Sequence, residues 1–555
     1  MLILPNCNNR TTLQQMFRYR LVQSLFVLLG VFPSPGFGEI QDRFQKVDSP
    51  FMTLIRPDSP YAKEKISLYP SWAEPFLQDY LRYEPSTKGR VSTQCSFSKG
   101  GQHNFSLEVR DIQGHLQSCE EELDVGYGDI FSNTYRTMML RLSPETHPMA
   151  RYVLFHLPNG VRVKGFLGLK DSDRPRPLVI LRAGIFSNVT EFLPERFLFL
   201  QLFEQSQFHF LILESSSGNE FIARNQKIAF GGFDEGIQNF QIARQLQNPK
   251  EPMSKYIHSV HLSGISMGGH SVFFSALLNE VNRDKNKKVF SSFLAFCPLV
   301  NMRDTFDYQL SQGVLPYIVS YWFQKRLPSA HLLLPQAKDK NFMQSLMDYL
   351  GAQYQGPLSY EQSIRLPDGM EKTLNKYWIE NDFWKFSKKI ETPFLIFATR
   401  KDPLVPFLLN SGRIQNKYLD LSDMVSVVEL KRGYHCSLPG EYDMYQMADL
   451  YHYHILNQSQ GYEPQYKEYD VELSVVLRAQ SDLSYDFQWD GRSPTVFINF
   501  GKKKASGVKI ELPTDSSGAL LSYFQPMNKS ILSRYLRQNL KLSPKGDRLK
   551  MRLFY

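Results

Sequence analysis

The sequence predicts an α/β fold: a mostly parallel sheet with helices on both faces, a helical cap insertion and a small β-rich domain at the C-terminus. Three observations predict it. First, the run 392–398 is continuously apolar, and 177–182 and 208–213 are apolar but for Arg182 and His209, as in strands buried on both faces. Second, the alternating, β-branched run 256–263 passes through Gly264-Ile265-Ser266-Met267-Gly268 into a helical pattern from Gly269 to Asn282, with Val272, Phe273, Ala276, Leu277 and Val281 near one face. Third, two later apolar runs end in loops that carry Asp402 and His435. With 555 residues, 42% of them hydrophobic and 14% aromatic, the chain has material for a sizeable core and room for two or three domains.

Taken in order, the elements begin with an address. Met16-Phe17-Arg18-Tyr19-Arg20 is basic, residues 21–32 are apolar, and Gly36 and Gly38 stand three and one before Glu39. This is the plan of a signal peptide over residues 1–38, with Met16 as an alternative start and an uncleaved anchor as the competing reading. Export to a periplasmic or extracellular space is therefore expected. Cleavage removes Cys7 and leaves four of the five cysteines; Cys95 and Cys119 flank an expected hairpin, and an oxidising compartment permits a disulfide there. Residues 39–149 read as a mixed α+β region with a helix near 71–83, and no chemistry is assigned to them.

The main α/β core is expected over residues 150–458. Residues 151–156 and 161–166 form a hairpin across Pro158-Asn159-Gly160, a strong turn signal. The buried strands 177–182 and 208–213 follow. In the Gly264–Gly268 turn, a serine between strand and helix needs a strained backbone, so the positions two before and two after it carry almost no side chain. The helix behind it points its free N–H groups at the serine. A strand over 289–296 comes next, then an insertion over residues 301–391, far longer than an ordinary connection, with helical stretches at 315–323 and 342–354. Its aromatic residues suit an acyl pocket or a plain packing face equally well.

The run 392–398 then leads into Asp402-Pro403-Leu404-Val405-Pro406, where the prolines end the strand. The run 424–430 leads to Gly433-Tyr434-His435-Cys436. Each of these residues alone is ordinary: aspartate before proline is a turn former, and a loop histidine is usually just exposed. The order Ser, Asp, His at successive strand ends is what combines them. Of the twelve histidines, His258, His261 and His270 lie in the strand and helix around the turn, and His452 and His454 lie in a later helix. Asp304, after the 289–296 strand, is the rival carboxylate.

On these residues the chain resembles the α/β-hydrolase superfamily over residues 150–458. The likeness is greatest to esterase-like members whose turn reads G-x-S-M-G-G and whose acid loop reads D-P-x-V-P, here Gly264–Gly269 and Asp402–Pro406. The resemblance implies a nucleophile elbow shaped by Gly264 and Gly268, with Ser266 as nucleophile, His435 as base and Asp402 as its orienting acid. It implies an oxyanion hole from the Ile185 and Met267 amides, with Gly184 allowing close approach. The family usually has His-Gly before that donor, whereas this chain has Ala183-Gly184. The expected reaction is cleavage of a small-molecule or lipid-like ester through an acyl-enzyme. Acyl transfer on the same scaffold and a non-catalytic binding protein are the alternatives.

No metal or other cofactor is expected, since the cysteines lack C-x-x-C spacing. A net charge of +9 is modest for this length, and Lys502-Lys503-Lys504 and residues 283–288 read as solvated loops. Without a nucleic-acid motif, no nucleic-acid partner is expected; weak association with an anionic envelope surface is compatible with the charge. Residues 465–555 form the expected C-terminal β-rich domain, with alternating runs at 470–477, 495–500 and 508–512 separated by Gly, Pro and Ser turns.

Overall fold

Nine strands form one sheet in the order β1-β2-β3-β5-β4-β6-β7-β8-β9. They are β1 (Met52–Leu54), β2 (Ala150–His156), β3 (Arg162–Gly168), β4 (Arg176–Arg182), β5 (His209–Leu213), β6 (Ile257–Ile265), β7 (Ser292–Phe296), β8 (Phe394–Thr399) and β9 (Val425–Leu430). The computed structural model describes residues 44–55, 104–118, 150–170, 174–189, 206–284, 287–311, 356–358, 360–370, 390–415, 422–430, 435–437 and 444–463, a few single positions between these, and strand backbones between 466 and 554. The helices that matter here are α1 (Phe105–Ser118), α2 (Asn219–Asn225), α3 (Gly232–Leu246), α4 (Met267–Val281), α5 (Met302–Ser311), α6 (Ser411–Gln415) and α7 (Met444–Gln458).

The β2–β3 hairpin turns at Pro158-Asn159-Gly160, with Asn159 at φ 60° and Gly160 at φ 76°, the left-handed conformations these two residues tolerate. β3 pairs antiparallel with β5, and every pair from β5 to β9 is parallel. β4, β5 and β8 are buried along their whole length, which is why their sequences, apart from terminal residues such as Arg176, Arg182 and His209, are apolar without alternation.

Strand periodicity divides the core into two layers. Leu178, Ile180, Leu211, Leu213, Val260, Leu262, Phe293, Ala295, Phe394 and Ile396 share one cluster with Phe240 of α3 and Phe273 and Leu277 of α4. Phe273 lies 4.8 Å from Phe394, ring centre to ring centre. On the other face, Tyr451 of α7 packs against Phe210 and Phe296. His261 of β6 is held there by the hydroxyls of Ser259, Ser292 and Ser459, each at 2.9 Å. α1 joins this layer through Glu108, whose carboxylate meets His454 and accepts Gln458 Nε2 at 2.7 Å.

Several expectations need amendment. α1 occupies the stretch between Cys95 and Cys119 where the sequence suggests a hairpin; Phe105, Glu108, Val109 and Ile112 are its buried stripe, at helical spacing. The two cysteines, the helix expected at 71–83 and the segment 1–38 lie outside the described residues, as do the helices expected at 315–323 and, apart from Ser345 and Asp348, at 342–354. β1 extends the sheet beyond the hairpin by pairing antiparallel with β2. Within the 301–391 insertion, α5 is described, and a second stretch runs along α3: the Leu358 amide donates to Asp234 at 2.6 Å, and Glu361 pairs with Arg244 at 2.7 Å. C-terminal strand backbones make two three-stranded antiparallel sheets, β10-β15-β14 (466–472, 548–554, 540–542) and β11-β12-β13 (483–489, 494–500, 507–511). Among the described residues, no helix is long and apolar enough to cross a membrane.

The buried histidines make stability depend on pH. Burial pushes His270 down to about 4 and holds His261 well below the usual imidazole range. The unfolded chain therefore takes up these protons first as pH falls below 6.5. Each such histidine costs up to about 1.4 kcal/mol per pH unit across its window. The urea midpoint should fall steadily from pH 7 towards pH 4, and His270→Gln should remove part of that slope; equal slopes in the two proteins would contradict the assignment.

Candidate active site

The chain leaves β4 towards β5 but leaves β6 towards β7, on the other side. The carboxyl ends of β4 and β6 thus border a topological switch point, where open α/β sheets place their ligands. Ser266 stands there, between the end of β6 and the start of α4, at φ 55° and ψ −118°. A non-glycine residue in this region costs about 1–3 kcal/mol and persists only where its neighbours over-determine it. They do so by contact. A Cβ on Gly264 would fall on the Gly268 carbonyl, one on Gly268 would fall on the carbonyls of Arg182 and Ala183, and one on Gly269 would lie 2.9 Å from Pro298. Ser266 is 8% exposed; its amide donates to Phe296 O at 2.9 Å and its carbonyl accepts the His270 amide at 3.1 Å.

Opposite the elbow, Ala183-Gly184-Ile185-Phe186 turns out of β4, with Phe186 at φ 62°. The Ser215-Ser216-Ser217 loop after β5 holds this turn: the Phe186 amide donates to Ser217 Oγ at 2.9 Å, and the Ser215 amide donates to Ser187 O at 3.0 Å. Among the described residues, neither the Ile185 nor the Met267 amide has a protein acceptor. These are the two donors expected for an oxyanion, on the two sides of the switch point.

A buried charge cluster lies behind the turn. Arg182, fully buried, donates through Nε to Asn239 Oδ1 at 2.8 Å and through a terminal nitrogen to Gln238 Oε1 at 2.7 Å, and also to the Glu214 carbonyl. Glu235 Oε2 lies 3.9 Å from Arg182 Nε, and Oε1 accepts the Ser216 amide at 2.6 Å. Burial lowers the Arg182 pKa against the pull of Glu235 and Glu214, and burial raises that of Glu235 against the pull of Arg182. The cluster reaches the elbow itself, since Asn239 Nδ2 donates to Ser271 Oγ at 3.0 Å and Ser271 Oγ donates to Gly268 O at 2.6 Å. Sequence reasoning missed these residues; the available signal was Glu235, Gln238 and Asn239 at helical spacing on one face of α3.

Asp402 and His435 meet at the ends of the last two strands. Asp402 Oδ1 accepts the Leu404 and Val405 amides at 2.8 Å each, which fixes the carboxylate within its own turn. His435 Nδ1 lies 2.8 Å from Oδ2 and 3.0 Å from Oδ1, and the Asp402 side chain is 2% exposed against 23% for His435. An ionised carboxylate only accepts, so Nδ1 carries the hydrogen and the neutral ring presents Nε2 as its basic atom. Nε2 lies 3.9 Å from Cys297 Sγ. Among the described residues it has no hydrogen bond to Ser266. Asp304, the rival, is 41% exposed, accepts Arg413 at 2.8 Å and belongs to the first turn of α5. Asp402 and His435 are therefore brought together, and Asp304 is not part of the pair.

The strand order, the antiparallel β3 and the strained serine between β6 and α4 give this chain the α/β-hydrolase fold. No protein-family model and no curated protein sequence matches it. Among solved structures it is similar to the acylaminoacyl peptidase of Pyrococcus horikoshii (12% identity, TM-score 0.34, covering 57% of this chain and 43% of the peptidase). It is also similar to acetyl xylan esterase 1 from a Thermoanaerobacterium species (13%, 0.32, 55% and 83%) and to an esterase of Pyrococcus furiosus (13%, 0.34, 57% and 95%). The chain spans less than half the length of the peptidase.

The elbow geometry is directly testable. Gly268→Ala places a methyl group against two backbone carbonyls that have no rotamer to change, so β4 and α4 must separate. We expect a loss of stability and of any Ser266 reactivity together, measured by thermal melting and by esterase assay. A Gly268→Ala protein with wild-type melting and activity would show that the close approach is dispensable.

Proposed function

We propose that this chain is a serine hydrolase that cleaves carboxylic esters through an acyl-enzyme on Ser266. The observation that carries the reading is the Asp402–His435 hydrogen bond at the same sheet edge that presents Ser266 on its strained turn. In this mechanism Ser266 Oγ attacks the ester carbon while His435 Nε2 takes its proton. The hydrogen bond to Asp402 keeps the imidazole in the tautomer that leaves Nε2 free and stabilises the imidazolium. The negative charge on the carbonyl oxygen is stabilised by the Ile185 and Met267 amides, the second reinforced by the N-terminus of α4. The proton then passes from Nε2 to the leaving alkoxide, and water repeats the sequence to release the acid. A bonded Cys297–Cys436 pair supports the accompanying reading that the protein works in an oxidising, exported setting.

The test is turnover on a panel of activated and lipid-like esters, with product analysis in the presence and absence of alcohol acceptors to separate hydrolysis from acyl transfer. Ser266→Ala should fold normally and lower kcat by about a millionfold, leaving what binding and the oxyanion hole supply. Asp402→Asn should lower it by about a thousandfold or more through the wrong tautomer, whereas Asp304→Asn should leave it near wild type. A crippled Asp304→Asn beside an active Asp402→Asn would overturn the acid assignment, and full activity in folded Ser266→Ala would overturn the mechanism.

A further inference from the structure

Cys297 is where the three parts of the candidate triad converge. It directly follows Phe296, whose carbonyl accepts the Ser266 amide at 2.9 Å. Its own amide donates at 2.7 Å to Phe397 O in β8, the strand that leads to Asp402. Its side chain is disulfide-bonded to Cys436, the residue directly after His435, with 4.8 Å between the two Cα atoms. Both cysteines have positive φ, 42° at Cys297 and 57° at Cys436. Cysteine seldom adopts that conformation, and two such residues joined across 139 positions of sequence mark a place where local preference yields to a tertiary demand.

From this convergence we propose that the Cys297–Cys436 disulfide is a positioning clamp: it fixes the main chain beside His435 to the end of β7, and so sets the imidazole against Asp402 and Ser266. The clamp deepens the catalytic reading above and rests on it. The loop that carries His435 has one other strong anchor among its described contacts, the Asp402 hydrogen bond, which holds the ring through Nδ1 and does not involve the backbone. A disulfide one residue away fixes the main chain itself, with its Cys297 sulfur 3.9 Å from Nε2. Cys297 is 2% exposed and Cys436 half-buried, so a small reductant has a route to the bond through Cys436.

The experiment compares oxidised protein with protein reduced by a water-soluble phosphine. The phosphine is oxidised to its oxide with oxygen from water, and the two sulfurs gain two electrons and two protons. Reduction is done with a chelator present, because the freed thiols and His435 Nε2, with ligand atoms all within 4.8 Å of one another, would suit a soft metal ion. Thiol alkylation and mass spectrometry verify reduction at both cysteines, and circular dichroism verifies the fold. We expect kcat to fall by roughly tenfold to a hundredfold with KM nearly unchanged, as for a base displaced by about an ångström, and to return on reoxidation. The Cys297→Ser/Cys436→Ser double variant should reproduce the loss and be insensitive to phosphine. Independently of turnover, the downfield N–H proton of His435 bonded to Asp402 should be visible by NMR in the oxidised protein and broadened or lost in the reduced one.

Reduced, folded protein that keeps both kcat and this resonance would overturn the clamp. So would global unfolding on reduction, which would make the bond a general staple, or a loss of activity that appears only when the chelator is omitted, which would make it metal capture. Oxidised wild-type protein that turns over no ester refutes the catalytic reading instead, and the clamp is then decided by the NMR comparison alone.

Discussion

The structure depends on the contact of the elbow with the end of β4. Gly268 lies so close to the carbonyls of Arg182 and Ala183 that no side chain fits between them, and Gly264 meets Gly268 in the same way across the turn. This approach allows Ser266 its φ of 55° and sets the turns that carry Ile185 and Met267 at the ends of the neighbouring strands β4 and β6. Backbone atoms cannot move aside as side chains do, so the geometry of the site is set by the sheet as a whole.

Such proximity needs a rigid support, and polar groups supply it. The guanidinium of Arg182 is satisfied by Asn239, Gln238 and the Glu214 carbonyl, and Asn239 continues through Ser271 to Gly268 O. Burying a cation is unfavourable unless its donors are met, and a met cluster resists displacement because any movement leaves a charge unpaired. The same logic applies at the other side of the site, where Asp402 is held by two amides of its own turn before it meets His435. Gly268 O and the Asp402 carboxylate are thus each held by partners outside the Ser266, Asp402 and His435 set.

Much of this was legible in the sequence because it is local. The Gly-x-Ser-x-Gly turn, the proline-flanked Asp402 and the glycine before His435 each carry their own backbone signal, and continuous apolar runs located the central strands within a few residues. The order of those runs sufficed to bring Asp402 and His435 together. What was not legible is what depends on distant partners. Nothing near Cys297 or Cys436 announces a bond across 139 residues, and the C-x-x-C spacing rule says nothing of it. Helix α1 stands where a hairpin was expected, and its buried stripe includes a glutamate, Glu108, that is accommodated only because His454 and Gln458 face it. Arg182 closes a run that is otherwise apolar, and the stripe Glu235, Gln238 and Asn239 on α3 makes it a core residue.

The central claim is that Ser266, His435 and Asp402 act as one unit, so that one serine in this chain is far more nucleophilic than the rest. Labelling the folded protein with a fluorophosphonate, followed by peptide mapping, tests it most directly. The account predicts a single adduct, on Ser266, which forms slowly or not at all in His435→Ala. Neighbouring serines should not react: Ser263 is buried in β6, and the Ser271 hydroxyl is committed to Gly268 O. An adduct on another serine, or a fast reaction at Ser266 that is indifferent to the loss of His435, would contradict it.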